Sequence, residues 1–565
     1  MRQILWWAGF GALLFSSRAR AEDRPAEDEM FGGGGETATA GDTGTGTATA
    51  TTTATTTATT TTTGTGTGTE TATATATATG TEIDSRDNLN LSDPKAGTRF
   101  SAEVAPEDPL KIGGQLYWRV MSTGKQGQYP QNWSLSAPAL LDVFMDARPN
   151  ERVRAFALGR LSYDPTLPPN GTTSTTTLSS SSAQSSDSLG SLYGQQTRGP
   201  NAVLDQLWLR FDLLHAVFVT AGKQHVRWGT ARFWAPTDYL HLQARNPLLP
   251  FDARTGTTML KLHVPWEARG WNFYAYALPE SATTTSTTGD IAGAARAEIV
   301  LGTFEAGAGV FGRRNSKAKF AADFSAGIWD LDFYGEAALR NASDVSMVSY
   351  VSQENLSNAQ ADVASKAASA TSSDSTSQST LLPTVVADFY PTKRGSGWKP
   401  QVTGGVSYTR QYADKDTFTV GVEYFYNGLG YANADVYPGL ILPRNTALAN
   451  PATFFYLGRH YLAVFATAPA PYSWDNTTFT LSALGNLSDR SGITRLDYSL
   501  IVLTHVRFEA YGAVHFGERN GEFRFGIDGN SILQSGSDST LRALGDKFTF
   551  PPAIFDLGVG LRVAL

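Results

Sequence analysis

The chain predicts an all-β fold: an antiparallel up-and-down β-barrel that crosses a membrane with its strands. Three observations lead there. The last eleven residues alternate at a period of two, with Phe555, Leu557, Val559, Leu561, Val563 and Leu565 on one face and Asp556, Gly558, Gly560, Arg562 and Ala564 on the other. Past the N-terminal dozen apolar residues, no stretch approaches the ~18–20 a membrane helix needs. Finally, the connections between alternating segments switch between tight and long along the chain, as they do when strands run up and down through a membrane.

The N-terminus reads as a secretion signal. Met1-Arg-Gln carries a positive charge, Ile4 to Phe15 is apolar, and Ala19-Arg20-Ala21 places small residues where a signal peptidase reads. We expect residues 1–21 to be the signal peptide, with cleavage after Ala21. The sequence has no Cys, which excludes disulfides, thiolate metal sites and a lipid-modified cysteine. Glu36 to Glu82 is almost pure Thr, Ala and Gly, with nothing large to bury. Residues 22–107 are therefore expected to be a disordered periplasmic tether, and 108–565 the barrel. Gly171 to Asp187 and Ser352 to Thr380 share the low-complexity character.

Strands are expected near 110–120, 137–147, 151–163, 202–213, 216–226, 257–266, 270–278, 293–301, 303–312, 317–328, 331–340, 400–410, 416–426, 459–467, 477–485, 493–503, 506–517 and 555–565. One face of each is lipid-compatible. The other carries Arg, Asp, Glu and Tyr, as the wall of a wet lumen does. In the stretch from Val506 to Phe516, for example, Phe508, Val514 and Phe516 oppose Arg507, Glu509, Tyr511 and His515. Arg148–Asn150, Leu214-His215, Glu267–Arg269, Gly302, Trp329-Asp330 and Thr504-His505 are tight connections, and Met121–Ser136, Asp164–Asn201, Arg227–Gly256, Pro279–Ala292, Asn341–Lys399 and Glu518–Ile554 are long ones. The count is about 18 strands, with about 16 as the alternative, because boundaries read from one sequence shift by ~2–4 residues. A barrel of that size encloses an aqueous channel. Trp266, Trp271 and Trp329 fall at tight turns, where an interfacial aromatic girdle belongs.

One connection differs from the Ser/Thr-rich ones. Residues 222–256 are dense in Trp, Arg, Pro and Asp. If this loop folds into the lumen, Arg227, Arg232, Asp238, Arg245, Asp252 and Arg254 would line a constriction. Inward strand residues Arg152, Arg154, Arg160 and Arg210 would face them. A packed extracellular cap is the competing expectation. The order Gly222-Lys-Gln, Trp228-Gly229, Asn246-Pro247 resembles a pattern in large, poorly characterised porin-like proteins of the Gram-negative outer membrane. The closing strand Phe555–Leu565 is similar to the segment the barrel-assembly machinery recognises in that class, although Leu565 stands where Phe is usual. The resemblance implies an outer-membrane barrel with a periplasmic N-terminus; it brings no substrate.

Enzymatic signatures are absent. None of the seven His residues lies in a His-x-Ser-Asn-Gly run, and no Gly-x-Ser-x-Gly, His-Glu-x-x-His or phosphate-cradling loop occurs. His263 with Asp252 is too thin a pair for a site. A net charge of −7 argues against a nucleic-acid partner. The expected function is passive passage of small hydrophilic solutes through the pore, with outer-membrane lipid as the surroundings. No catalysis, cofactor or metal is expected, and the sequence is compatible with an oligomer. One alternative is a conduit for polysaccharide or another polymer, to which Tyr117, Trp208, Tyr334 and Tyr511 could contribute a ladder. Another is a structural or adhesive surface barrel.

Overall fold

The computed structural model describes residues 109–167, 199–214, 216–249, 251–252, 254–280, 288–369, 385–412, 416–442 and 454–564. The segments expected to be a signal peptide (1–21) and a tether (22–107), Gly171 to Asp187 and His215 lie outside them.

Eighteen long strands form the wall: β1 Leu110–Lys125, β2 Ala139–Asn150, β3 Val153–Tyr163, β4 Asn201–Leu213, β5 Val217–Gln224, β6 Thr257–Trp266, β7 Trp271–Leu278, β8 Ala292–Leu301, β9 Phe304–Gly312, β10 Lys319–Ile328, β11 Leu331–Asn341, β12 Trp398–Gln411, β13 Thr417–Asn427, β14 His460–Pro469, β15 Thr477–Asn486, β16 Ser491–Leu503, β17 Val506–Gly517 and β18 Ala553–Ala564. Each is antiparallel to its sequence neighbours. β18 pairs back onto β1 from Gln115 opposite Ala564 to Gly124 opposite Phe555, so the sheet closes. Closure leaves no long unpaired strand edge, the condition for a sheet to sit in hydrocarbon.

The period-two pattern sorts the faces as the sequence implies. Leu116, Trp118, Val143, Leu209, Leu262, Phe324, Val422, Leu496, Val514, Leu557 and Val559 stay exposed on the outside. Arg119, Asp142, Arg160, Arg296, Asp323, Glu336, Glu423, Arg495, Glu509 and Arg562 are buried on the inside. An apolar exterior round a charged interior inverts the arrangement of a water-soluble barrel, and it is the arrangement that hydrocarbon surroundings select. At the closing seam, Arg119 of β1 and Arg562 of β18 both bind Glu509 of β17, at 3.3 and 2.7 Å.

The tightest turns gather at one end and the long connections at the other, where 487–490 is a short exception. Trp266 and Trp271 meet edge to face across one turn, with the Arg269 guanidinium against both rings. Trp329 sits in another with φ of 58° and is 88% exposed. A bulky residue in that backbone region carries a strain cost, offset where its ring lies in a lipid interface.

The long-connection end holds structure the sequence did not announce. Three connections, 342–397, 428–459 and 518–552, share one apolar core containing Val351, Val363, Phe389, Tyr390, Tyr437, Leu457, Phe525, Leu533 and Leu544. They carry helices α1 Gln353–Ser369, α2 Tyr437–Ile441, α3 Gly529–Leu533 and α4 Ser539–Phe548. The helix α1 corrects the reading of Ser352 to Thr380 as low-complexity throughout. Its Leu356, Ala359 and Val363 recur on one face and are buried in the shared core. α3 and α4 are capped by Asp528 and Asp538, whose carboxylates accept from the first-turn amides.

A buried carboxylate pair holds this cap to the wall. Glu522 accepts from the Tyr461 hydroxyl at 2.6 Å, from Asn486 at 2.9 Å and from the Leu457 amide at 3.3 Å. Asp489 accepts from the Glu522 amide at 2.8 Å. Burial, reinforced by Asp489, pushes Glu522 up to about 8. A carboxyl whose folded pKa is raised favours folding most below its unfolded value, and that contribution fades as pH rises through about 8. Tryptic cleavage at Arg519 and Arg524 should therefore speed up between pH 7 and pH 9 beyond the protease's own pH profile. Glu522→Gln should flatten the increase. An unchanged increase in that variant would place the titrating group elsewhere.

Candidate functional site

The connection between β5 and β6, residues 225–256, runs inside the barrel. It begins where Gly222, at φ of 130°, lies against the Leu207 carbonyl, and a Cβ there would fall 2.1 Å from that oxygen. From this point the loop meets the wall in three sectors. Val226, Trp228 and Leu240 pack with Tyr274 and Tyr276 of β7, Ala292 and Ala294 of β8 and Phe311 of β9. Phe233, Trp234 and Leu248 pack with Phe425 of β13, Tyr461 and Phe465 of β14, Leu484 of β15 and Ile493 of β16. Leu249 and Phe251 reach Tyr117 of β1 and Leu140 of β2. The loop thus spans the lumen.

Such a segment has neither helix nor sheet to satisfy its amides, and the wall supplies acceptors instead. Glu423 of β13 accepts from the amides of Arg232 at 2.9 Å, Phe233 at 3.1 Å and Trp234 at 2.9 Å. The Tyr334 hydroxyl and Thr403 of the wall hold the same carboxylate at 3.0 and 3.3 Å. Glu336 of β11 accepts from the Ala231 amide at 2.7 Å and the Thr237 hydroxyl at 2.6 Å. Both carboxylates are at most 2% exposed. Gly229 lies directly on Glu336: it takes φ of 95°, and a Cβ there would stand 2.2–2.5 Å from the carboxylate. Trp228 fits against the bare backbone of Gly309 on β9. The Trp-Gly dipeptide is thereby explained as a ring that fills one sector, followed by a residue that can bend onto a buried charge.

The charged residues expected at a constriction fall into three groups. Asp238, Asp252 and Arg254 come together, with Arg254 on Asp252 at 2.6 Å and on Asp238 at 2.9 Å. Burial pushes the Asp238 carboxyl up, but His241 and Arg254 outweigh it and hold the group below the usual carboxylate range. Arg227 donates to the Ala231 carbonyl, Arg245 donates to the Arg232 carbonyl at 3.2 Å, and the Arg232 guanidinium lies 3.6 Å from the Phe465 ring centre. On the wall, Arg160 is held by Asp142 at 2.6 Å and Arg154 by Asp146 at 2.9 Å, while Arg210 contacts Thr220 and the Trp208 ring. Arg152 is not with them. It sits in the β2–β3 turn at the tight-turn end, its side chain 62% exposed and 4.0 Å from Asp212.

Sequence reasoning missed both anchoring glutamates and a histidine pair. His225 binds Asp205 of β4 at 3.2 Å, His241 binds Asp238 at 3.1 Å, and the two rings face each other at 3.4 Å between nitrogens. Burial, with Arg254 nearby, lowers His241 below its ordinary value. His263 is not with Asp252: it pairs with Asn272 at 2.9 Å and stacks on Tyr274. The four aromatics offered as a ladder are spent on other contacts. Tyr117 and Tyr511 flank Arg119, Trp208 stacks on Phe156, and Tyr334 binds Glu423.

No protein-family model and no curated protein matches this chain. Among solved structures it is similar to Pseudomonas aeruginosa OccK9 (OpdG), with 9% identity, a TM-score of 0.44, and 81% of this chain and 98% of that one covered. It is also similar to Acinetobacter baumannii OccAB1, with 10% identity, a TM-score of 0.43, and coverage of 81% and 97%. A third is Pseudomonas aeruginosa OccK11 (OpdR), with 9% identity, a TM-score of 0.41, and coverage of 81% and 96%. The strand count and the inner loop stand on this chain's own geometry.

The anchors can be tested by stability. Glu423→Ala leaves three loop amides without their carboxylate, at about 1–3 kcal/mol for a buried donor left unmet. We expect a lower urea midpoint for the refolded barrel, and a smaller drop in Glu423→Gln, whose carbonyl oxygen still accepts. Equal midpoints for Glu423→Ala and the parent would contradict the anchoring role. Gly229→Ala should also destabilise, by about 1–3 kcal/mol, through its backbone conformation alone.

Proposed function

We propose that the protein is an outer-membrane channel through which small hydrophilic solutes pass by diffusion, with residues 225–256 setting the width of the passage. The observation that carries this reading is the loop pinned across a charged lumen by Glu336 and Glu423. A barrel whose only task was to hold surface loops would gain nothing from threading one of them inward. The mechanism needs no chemistry on the solute. Width, and the charge that lines it, decide what enters.

The pairing pattern bears on charge preference. Arg160, Arg154 and Arg254 each sit on a carboxylate, so their charge is locally cancelled. The hydrogen bonds of Arg227 and Arg245 go to carbonyls, which accept without cancelling charge, and Asp252 acts on Arg245 only from farther out. Arg340 of β11 and Lys399 of β12 also stand opposite each other. These groups favour anions. Polymer export is the weaker reading, because the aromatic residues that would form its ladder are engaged with the wall and the loop. The ordered cap is what a surface-binding role would rest on.

Single-channel recording in a salt gradient separates these readings. We expect steady openings with a reversal potential on the anion side, moved toward zero by Arg227→Gln with Arg245→Gln. Releasing the loop with Glu336→Ala and Glu423→Ala should raise conductance. A folded barrel that never conducts, in either form, would sink the channel reading and leave the cap as the functional surface.

A further inference from the structure

The histidine pair in the inner loop poses a problem of proton count. A carboxylate only accepts hydrogen bonds. Asp205 therefore accepts a hydrogen bond from the Nε2–H of His225, at 3.2 Å, and Asp238 accepts one from the Nδ1–H of His241, at 3.1 Å. In a neutral ring the other nitrogen then carries a lone pair. Those other nitrogens, Nδ1 of His225 and Nε2 of His241, point at each other 3.4 Å apart. The ring centres are 5.6 Å apart, so the two rings meet end-on. Two lone pairs so placed repel unless a cation lies between them.

We propose that His225 and His241 form a two-histidine site for a soft divalent metal ion such as Zn²⁺. Two nitrogens bound at ~2.0–2.1 Å to one tetrahedral ion stand ~3.4 Å apart, so the separation already fits and a tilt of each ring brings both lone pairs onto an ion lying beside the line between them. Each ring is turned toward the site by a carboxylate on its far nitrogen, the second-shell arrangement that fixes metal-binding histidines. Charge agrees with a dication. Asp205, Asp238 and Asp252 outnumber Arg254 in the cluster, with Arg245 acting on Asp252 from farther out. Among the described residues no third His, Cys, Asp or Glu converges with these two, so water would complete the shell. That the ion would narrow the passage rests on the channel reading; that it binds does not.

Equilibrium dialysis of the refolded full chain against Zn²⁺, followed by elemental analysis, tests binding without any conductance. We expect one ion per chain, undisturbed by excess Mg²⁺, which prefers oxygen ligands. His241→Gln and His225→Gln should each weaken binding by roughly ten-fold or more, and Asp238→Asn, which acts through His241, by about 10–100-fold. Two independent histidine variants guard against one that misfolds. Equal Zn²⁺ uptake by the parent and both histidine variants would overturn the proposal, and so would the absence of uptake by the parent. The pair would then share only a proton. If Zn²⁺ binds but no channel is ever recorded, the metal site stands and the channel reading falls.

Discussion

A backbone amide removed from water must find an acceptor, and that requirement shapes both layers of this protein. In the wall it is met by closure: β18 returns to β1, so every long strand has a partner on each side. The inner loop is irregular and cannot meet it that way. It crosses the lumen because Glu423 gathers three consecutive amides and Glu336 takes two more together with a hydroxyl. Aromatic packing in separate sectors then fixes the loop against the wall. Charged wall residues thus serve the loop's backbone first and the passage second.

Much of the fold was legible in the sequence. Each of the eighteen strands coincides with an alternating segment, because lipid on one side and lumen on the other demand opposite chemistry every second residue. The tight turns followed from what remained between the segments. The loop stood out by composition, since Trp, Arg and Pro are not what a merely tolerated connection carries. Its destination was not legible. Glu336 and Glu423 look like any lumenal glutamate, and only the register of β11 and β13 brings them under residues 231–237. The inward aromatics Tyr276, Phe425 and Phe465 likewise read as ordinary strand residues until the loop lies on them.

The cap escaped for a different reason. Its core joins residues from three connections; 342–397 and 518–552 are too polar to predict burial by themselves, and the apolar residues of 428–459 have no strand or helix period that points to a partner. Only their convergence above the barrel supplies the apolar partners. Arg152 was misplaced by a simpler limit: alternation gives the face of a residue but not its height along the axis, and Arg152 sits at the far rim. Most of the remaining expected arginines do face the lumen, yet several are locked to carboxylates. A list of inward cations therefore overstates the charge a solute meets.

Hydrogen exchange at the amides of residues 231–237 in the refolded barrel tests the central claim most directly. If the loop is pinned to Glu336 and Glu423, these amides exchange far more slowly than a free loop, although they lie outside any strand or helix. Exchange at the rate of an unprotected chain would mean that the loop is not held in the lumen, and the account of the passage would fail with it.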